Sequence, residues 1–296
     1  MTGLLFGSFF VLMFLGVPIA VALGLAAVIA ILTGLNSSLI VTAQSMFNGI
    51  NSFPLMAIPF FILAGNMMGE GGISKKLVTF VNLIFSRITG GLAMVAIGAS
   101  MFFAAISGSG TATVAAMGSI LIPAMVAQGY DAGFSSALSA ISGSLGTVIP
   151  PSITFIIYGM ITGESIGDLF LSGIVPGLIF GFMLCIMVFI KSKRYGWKGD
   201  TQRASLKEIG RLFLDTIWGL LSPVIVLGGI YSGLFTPTEA AAVAVVYSLI
   251  VGIFVYKELR LAELKETLFS TAKTTGMILL IIMNAGIFSW VLTQQG

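Results

Sequence analysis

The chain has 296 residues, of which 57% are apolar and only 8% carry charge, against about 25% charged in ordinary soluble domains. So few polar groups cannot make a water-facing surface, which excludes a soluble globular fold and makes lipid the solvent around most of the chain. The net charge of +3 does not mark a nucleic-acid binder, because the basic residues sit at the ends of apolar spans, where the positive-inside rule puts them.

About 20 apolar residues are needed to cross about 30 Å of hydrocarbon. Residues Met1–Leu35 are too long for one straight span, and Gly16-Val17-Pro18 divides them into two helices with a tight turn. No basic leader precedes them, so they read as the first membrane segments and not as a cleavable signal. Leu39–Ile50 is less apolar and is placed along the interface, and Phe53–Met68 is a span. The stretch 73–88 mixes Lys75, Lys76 and Arg87 with apolar residues and is predicted to be an amphipathic surface arm.

Gly91–Gln128 is apolar but interrupted at Ser107-Gly108-Ser109-Gly110. Its two limbs, about 24 Å each at 1.5 Å per residue, suit a re-entrant hairpin over 91–128. Ala132–Thr162 is predicted to be a helix broken at Gly146-Thr147-Val148-Ile149-Pro150-Pro151, and 166–190 is a long span that holds the lone Cys185. A single cysteine forms no disulfide within the chain, and inside an apolar span it serves packing. A basic loop with amphipathic character over 191–216 follows, Lys191–Arg211 being its loop part. Ile217–Leu234 and Thr238–Tyr256 are spans, Leu261–Lys273 is amphipathic, and Gly276–Leu292 opens another span.

With Lys191–Arg211 set on the cytoplasmic side, counting spans in both directions puts all 14 Lys and Arg on that side. The N-terminus, Gly163 and Thr236-Pro237 then face outward, and Asp131 faces inward. A weak internal likeness fits this count. Gly16-Val17-Pro18-Ile19-Ala20-Val21-Ala22 resembles Phe235-Thr236-Pro237-Thr238-Glu239-Ala240-Ala241. Each string follows one span and opens another, and the two copies start on opposite sides. That is the pattern of inverted-topology repeats in secondary transporters. The expected fold is therefore an all-α polytopic membrane protein, with residues 1–190 as the first repeat and 217–296 as the start of a second, incomplete one. The chain is expected to continue beyond Gly296 with a second hairpin and a second broken helix.

The two breaks are where chemistry is expected. Irregular backbone at membrane depth survives only when buried in protein or lining a cavity. A glycine- and hydroxyl-rich turn presents carbonyls that suit a small cation such as Na⁺, and helix N-termini that suit a carboxylate. Pro150 and Pro151 remove two donors and free carbonyls near 146–147. The bland alternative, small-residue helix packing, is the weaker reading at two breaks on consecutive elements. Absences narrow the classes further. The chain has no His, which excludes a Ser–His hydrolase and a His-based metalloprotease, and no P-loop string. No enzyme activity is expected. An ion channel would show a ring of acids in its spans, and a scaffold subunit would not need paired breaks.

At these motifs the chain resembles the large membrane subunit of the tripartite ATP-independent periplasmic (TRAP) transporters. The likeness lies in Ile106–Met125 (ISGSGTATVAAMGSILIPAM), Gly146–Gly159 (GTVIPPSITFIIYG) and Gly233–Ala242 (GLFTPTEAAA). The resemblance implies an elevator-type importer in the bacterial inner membrane, driven by a Na⁺ gradient. It would carry sialic acid, a C4-dicarboxylate or a related acid delivered by a periplasmic substrate-binding protein, with a small four-helix membrane subunit as partner. Carried over by residue, it implies a sodium site of Ser107, Ser109, Gly146, Val148 and Pro150, and substrate contacts from Ser109, Thr111, Ser152 and Thr154. No organic cofactor is implied. A symporter of the same repeat architecture that works without a binding protein is the alternative.

Overall fold

The computed structural model describes residues 2–34, 39–197, 199 and 206–294, and every regular element among them is helical. Among the described residues, six helices are long and apolar enough to cross a membrane: Phe53–Glu70, Gly110–Ala127, Ile166–Tyr195, Gly210–Tyr231, Pro237–Val255 and Glu263–Gln294. The chain is a polytopic α-helical membrane protein, as its composition requires. Its packing forms two units. One comprises Met1–Leu55 with Ala272–Gly296, the other Met56–Thr271.

The first unit is built from α1 (Thr2–Phe14), α2 (Ile19–Gly34), α3 (Leu39–Ile50) and the end of α13 (Leu261–Gln294). Its core joins Leu5, Ala26, Ala27, Ala30 and Ile31 to Ile287, Phe288 and Val291. Alanines on α2 let the α13 aromatics approach, and Phe288 meets Phe6 and Phe9 at ring separations of 5.6 and 5.7 Å. Asn284 is buried here, its Nδ2 donating to the Leu280 carbonyl at 2.9 Å and its amide lying against Gly24. That bond stays within α13, so it satisfies the buried amide without tying α13 to α2.

The second unit holds α4 (Ala57–Glu70), α5 (Ile73–Phe85), α6 (Gly91–Ser107), α7 (Gly110–Ala127), α8 (Ala132–Gly143), α9 (Ile153–Thr162), α10 (Ile166–Tyr195), α11 (Leu206–Tyr231) and α12 (Pro237–Ile250). Helix α5 is amphipathic as expected: Ile73, Leu77 and Val81 are buried while Lys75 and Thr79 are exposed. They pack with Val95, Ile97, Phe103, Leu121, Leu138 and Val188 into one core. Antiparallel limbs α6 and α7 form the hairpin, and α8, a short turn and α9 form the broken helix. At the charged end of the unit, Trp197 packs on Tyr130 and Phe134 at 4.4 and 4.9 Å, and Lys191 lies 4.5 Å over the Phe134 ring. This cluster pins the start of α8 to the end of α10.

Two expectations change, and one feature is new. Helix α10 runs past Ile190 to Tyr195, and α11 begins at Leu206, so helix occupies much of the stretch assigned to a basic loop. Residues 198 and 200–205 of that stretch lie outside the described residues. Charged residues near helix ends in water cost a helix little, so Lys and Arg there do not mark a loop. Helix α13 is continuous over 34 residues, where the sequence was divided at Gly276. A lone glycine inside a helix costs only about 1 kcal/mol against alanine and does not end it without a proline. Finally, α12 closes in a π-helical turn, Val251–Val255, which no sequence signal indicated.

Candidate functional site

The hairpin turns in two residues. Helix α6 ends at Ser107, Gly108 takes the left-handed region at φ +62°, and extended Ser109 caps α7 by accepting the Ala112 N–H at 3.3 Å. Only glycine adopts such a φ without steric cost. Behind the turn lies a knot of oxygens. The Ser109 carbonyl accepts both the Thr113 N–H at 3.0 Å and the Thr113 hydroxyl at 2.8 Å. Ser107 Oγ lies 3.2 Å from Thr113 Oγ1 and 3.4 Å from the Ser109 carbonyl. Ser107 and Thr113 are almost wholly buried.

The broken helix is stopped by its prolines. Helix α8 gives way to a tight 3-10 turn, Ser144–Thr147, and α9 restarts at Ile153 with Ser152 as its extended N-cap residue. Between them the Leu145 carbonyl accepts two amides, Val148 N–H at 3.0 Å and Ile149 N–H at 2.7 Å. The Pro150–Pro151 bond is cis. The Thr147 carbonyl, deprived of a helical donor by the prolines, accepts the Ser152 hydroxyl at 2.8 Å.

The two breaks meet through their backbones. The Ile153 N–H, first of α9, donates to the Gly108 carbonyl at 3.0 Å. A Cβ on Gly146 would lie 2.8 Å from the Ser109 carbonyl and 2.9 Å from the Gly110 nitrogen. One on Gly108 would lie 2.8 Å from the Pro151 carbonyl oxygen. Helix α4 closes the back of the turn, since a Cβ on Gly65 would meet the Ser107 Cα at 2.7 Å.

Of the residues expected to hold the ion, Ser107, Ser109 and Gly146 are thus brought together, with the buried Pro150–Pro151 pair beside them. Val148 differs: its carbonyl oxygen lies against α10, 2.5 Å from where a Cβ on Gly173 would be. Of the residues expected to face substrate, Thr111 and Thr154 are exposed, and half-buried Ser109 has its hydroxyl 3.1 Å from that of Thr111. Ser152 is fully enclosed, its hydroxyl held by Thr147. Thr113 was in the motif but not among the expected ligands. Its place four residues after Ser109, where a threonine hydroxyl bonds back to the preceding turn, was the signal for it.

The oxygens gathered here are hard and uncharged. Among the described residues no group of three or more His, Cys, Asp or Glu could hold a metal ion. A divalent ion buried without a counter-charge is very costly, so neutral oxygens suit a monovalent cation. The N-termini of α7 and α9 converge on the same turn, and their dipoles favour an anion just outside it. A cavity of about 710 Å³ begins beside the turn, at Gly65 and Ala112, and follows the small-residue face of α7 through Ala115, Ala116 and Ser119. Its lining also includes Glu70, Glu258, Glu263, Glu266 and Lys75, and none of the four glutamates is marked by a sequence motif.

Residues 6–296 match the family described as "Tripartite ATP-independent periplasmic transporter, DctM component". The chain is 47% identical, over 98% of its length, to the isethionate TRAP transporter permease protein DctMQ of Oleidesulfovibrio alaskensis, covering 46% of that protein. It is 38% identical to the C4-dicarboxylate TRAP transporter large permease protein DctM of Rhodobacter capsulatus, over 99% of this chain and 70% of that one. It is 36% identical to the sialic acid TRAP transporter permease protein SiaT of Haemophilus influenzae, over 96% of this chain and 46% of that one. The chain therefore spans from about half to about two thirds of the length of these relatives.

Proposed function

The chain belongs to the DctM component family of the tripartite ATP-independent periplasmic transporters, and from that premise we propose that it forms the translocating core of a Na⁺-coupled importer of a small organic acid. The import crosses the bacterial inner membrane, with the N-terminus periplasmic. One observation carries the reading: two backbone breaks in consecutive apolar elements are joined by the Ile153 N–H on the Gly108 carbonyl. Helices in lipid keep their backbone bonds internal, so two open turns sharing a bond support a site at their junction.

In this reading Na⁺ sits among Ser107, Ser109, Gly146 and Pro150, with Thr113 supporting Ser107 and the Val148 carbonyl turned to α10. The acid lies at the mouth, where Ser109, Thr111 and Thr154 and the N-termini of α7 and α9 meet its carboxylate or sulfonate, while Ser152 holds the Thr147 carbonyl behind them. Sodium fixes the hairpin tip on the broken helix. That completes the substrate face and couples the two cargoes by a typical linkage of about 1–3 kcal/mol. The named relatives carry isethionate, C4-dicarboxylates and sialic acid, all acids, which supports the anionic class without choosing a member. A tripartite system supplies the partners: a periplasmic binding protein and a small membrane subunit. Inverted-topology repeats and an elevator-type movement belong to the same reading, which predicts no enzymatic turnover.

The test is uptake by the assembled transporter in proteoliposomes. Uptake of one of these acids should need both an inward Na⁺ gradient and the purified binding protein. Uptake that ignores the gradient would overturn the sodium coupling. Uptake at full rate without the binding protein would favour a self-sufficient symporter. Orientation is checked in a Cys185→Ser background: cysteines placed at Gly163 and Thr236 should react with an impermeant maleimide in intact cells, and one at Lys75 should not.

A further inference from the structure

We infer that Gly173 of α10 is a positioning residue for the cation site, because it alone leaves room for the Val148 carbonyl. This rests on the sodium site proposed above. The peptide linking Val148 to Ile149 is the first after the 3-10 turn and the last before the prolines. It is held at both ends. Its N–H donates to the Leu145 carbonyl at 2.7 Å. Its oxygen lies on the α10 backbone, 2.5 Å from the position a Gly173 Cβ would take. A carbonyl pressed on a glycine Cα gains at most a weak C–H···O contact, but its direction is fixed. The plane of this peptide sets where the neighbouring carbonyls point, and a site made of backbone oxygens has only their directions with which to select an ion.

Helix α10 supplies its own controls. Gly173, Gly177 and Gly181 recur every four residues and so share one face. A Cβ on Gly177 would meet the Ile149 side chain at 2.7 Å, and one on Gly181 would meet the Met101 side chain. Side chains can turn aside; a peptide anchored by Leu145 and followed by two prolines cannot. The opposite face of α10, with Leu171, Val175, Leu178 and Phe182, is exposed and suits lipid. A Cβ on Gly173 would also crowd the Phe155 ring, an alternative cause that a second substitution removes.

The experiment uses the purified assembled transporter and NaCl. The concentration of Na⁺ giving half-maximal thermal stabilisation is measured beside the Na⁺ dependence of uptake. Gly173→Ala should raise the half-saturating Na⁺ by about fivefold or more, and should do so equally when Phe155→Ala has removed the ring. Gly177→Ala should leave it within about twofold. Hydrogen exchange gives a readout independent of transport. Between residues 148 and 152 only Val148, Ile149 and Ser152 carry amide hydrogens, and exchange at Ile149 should quicken in Gly173→Ala. An unchanged half-saturating Na⁺ in Gly173→Ala, or its recovery on adding Phe155→Ala, would overturn the inference. If Gly146→Leu also leaves Na⁺ dependence intact, it is the sodium site that fails. If Gly146→Leu abolishes it and Gly173→Ala does nothing, only the role of Gly173 falls.

Discussion

Gly16-Val17-Pro18 and Ser107-Gly108-Ser109-Gly110 are the same kind of punctuation in an apolar stretch, yet the two turns engage their surroundings differently. At the first, Gly16 has φ +81° and nothing lies within 4 Å of a Cβ built on it. Its backbone groups are satisfied locally, Gly16 N–H on the Met13 carbonyl at 3.0 Å and Val17 N–H on Leu12 at 3.1 Å. At the second, the Gly108 carbonyl accepts a donor 45 residues away in sequence, and the glycines around it press on other backbones. A turn that closes its own bonds is a connector. A turn that leaves them for a second broken element is what the proposed site is built on.

That contrast can be broken experimentally. The largest effect is expected at Gly146→Leu, whose side chain would enter the space of the Ser109 carbonyl and the Gly110 nitrogen. Displacing the two breaks by an ångström should cut Na⁺-dependent uptake by about 100-fold, and uptake that keeps its half-saturating Na⁺ in a folded variant would place the ion elsewhere. Ser107→Ala comes next. Thr113 and the Ser109 carbonyl remain, so the half-saturating Na⁺ should rise by only about 3- to 10-fold, the worth of about one hydrogen bond; a total loss would make the hydroxyl, not the carbonyls, the principal ligand. Gly16→Ala should lower stability by about 1 kcal/mol from its left-handed backbone and leave Na⁺ dependence unchanged. A shift there would erase the distinction between connector and site. The smallest effect belongs to Thr236→Ala. It removes one half of the capping box with Glu239 and should lower the melting temperature by about 2–4 °C, again with no change in Na⁺ response.

Much of this was legible in the sequence, because glycine and proline act locally. The turn after α1, the hairpin tip at Gly108 and the stop before Pro150 follow from residue type alone. So does the amphipathic α5, whose lysines recur off the Leu77–Val81 face. What resisted reading depends on partners distant in sequence or on peptide direction. Nothing near Ile153 indicates that its N–H will find Gly108. Nothing near Val148 indicates that its carbonyl will lie on α10. Ser152 is expected at the substrate face, yet a hydroxyl five residues after a proline-starved carbonyl is better used inside, on Thr147. Gly276 misled for the opposite reason, since a helix-weakening residue is easily carried by the packing and hydrogen bonds on both sides.

The cavity along α7 is lined by four glutamates and one lysine, a formal lining charge of −3. A recess with such walls behaves as a small Donnan compartment. Sodium partitions into it and acids partition out, by an amount that falls as added salt shortens the screening length, about 8 Å at physiological ionic strength. On the proposed function, an acid leaving the turn by this route would meet rising repulsion, while a released cation would be retained. Residence would then be short for one proposed cargo and long for the other.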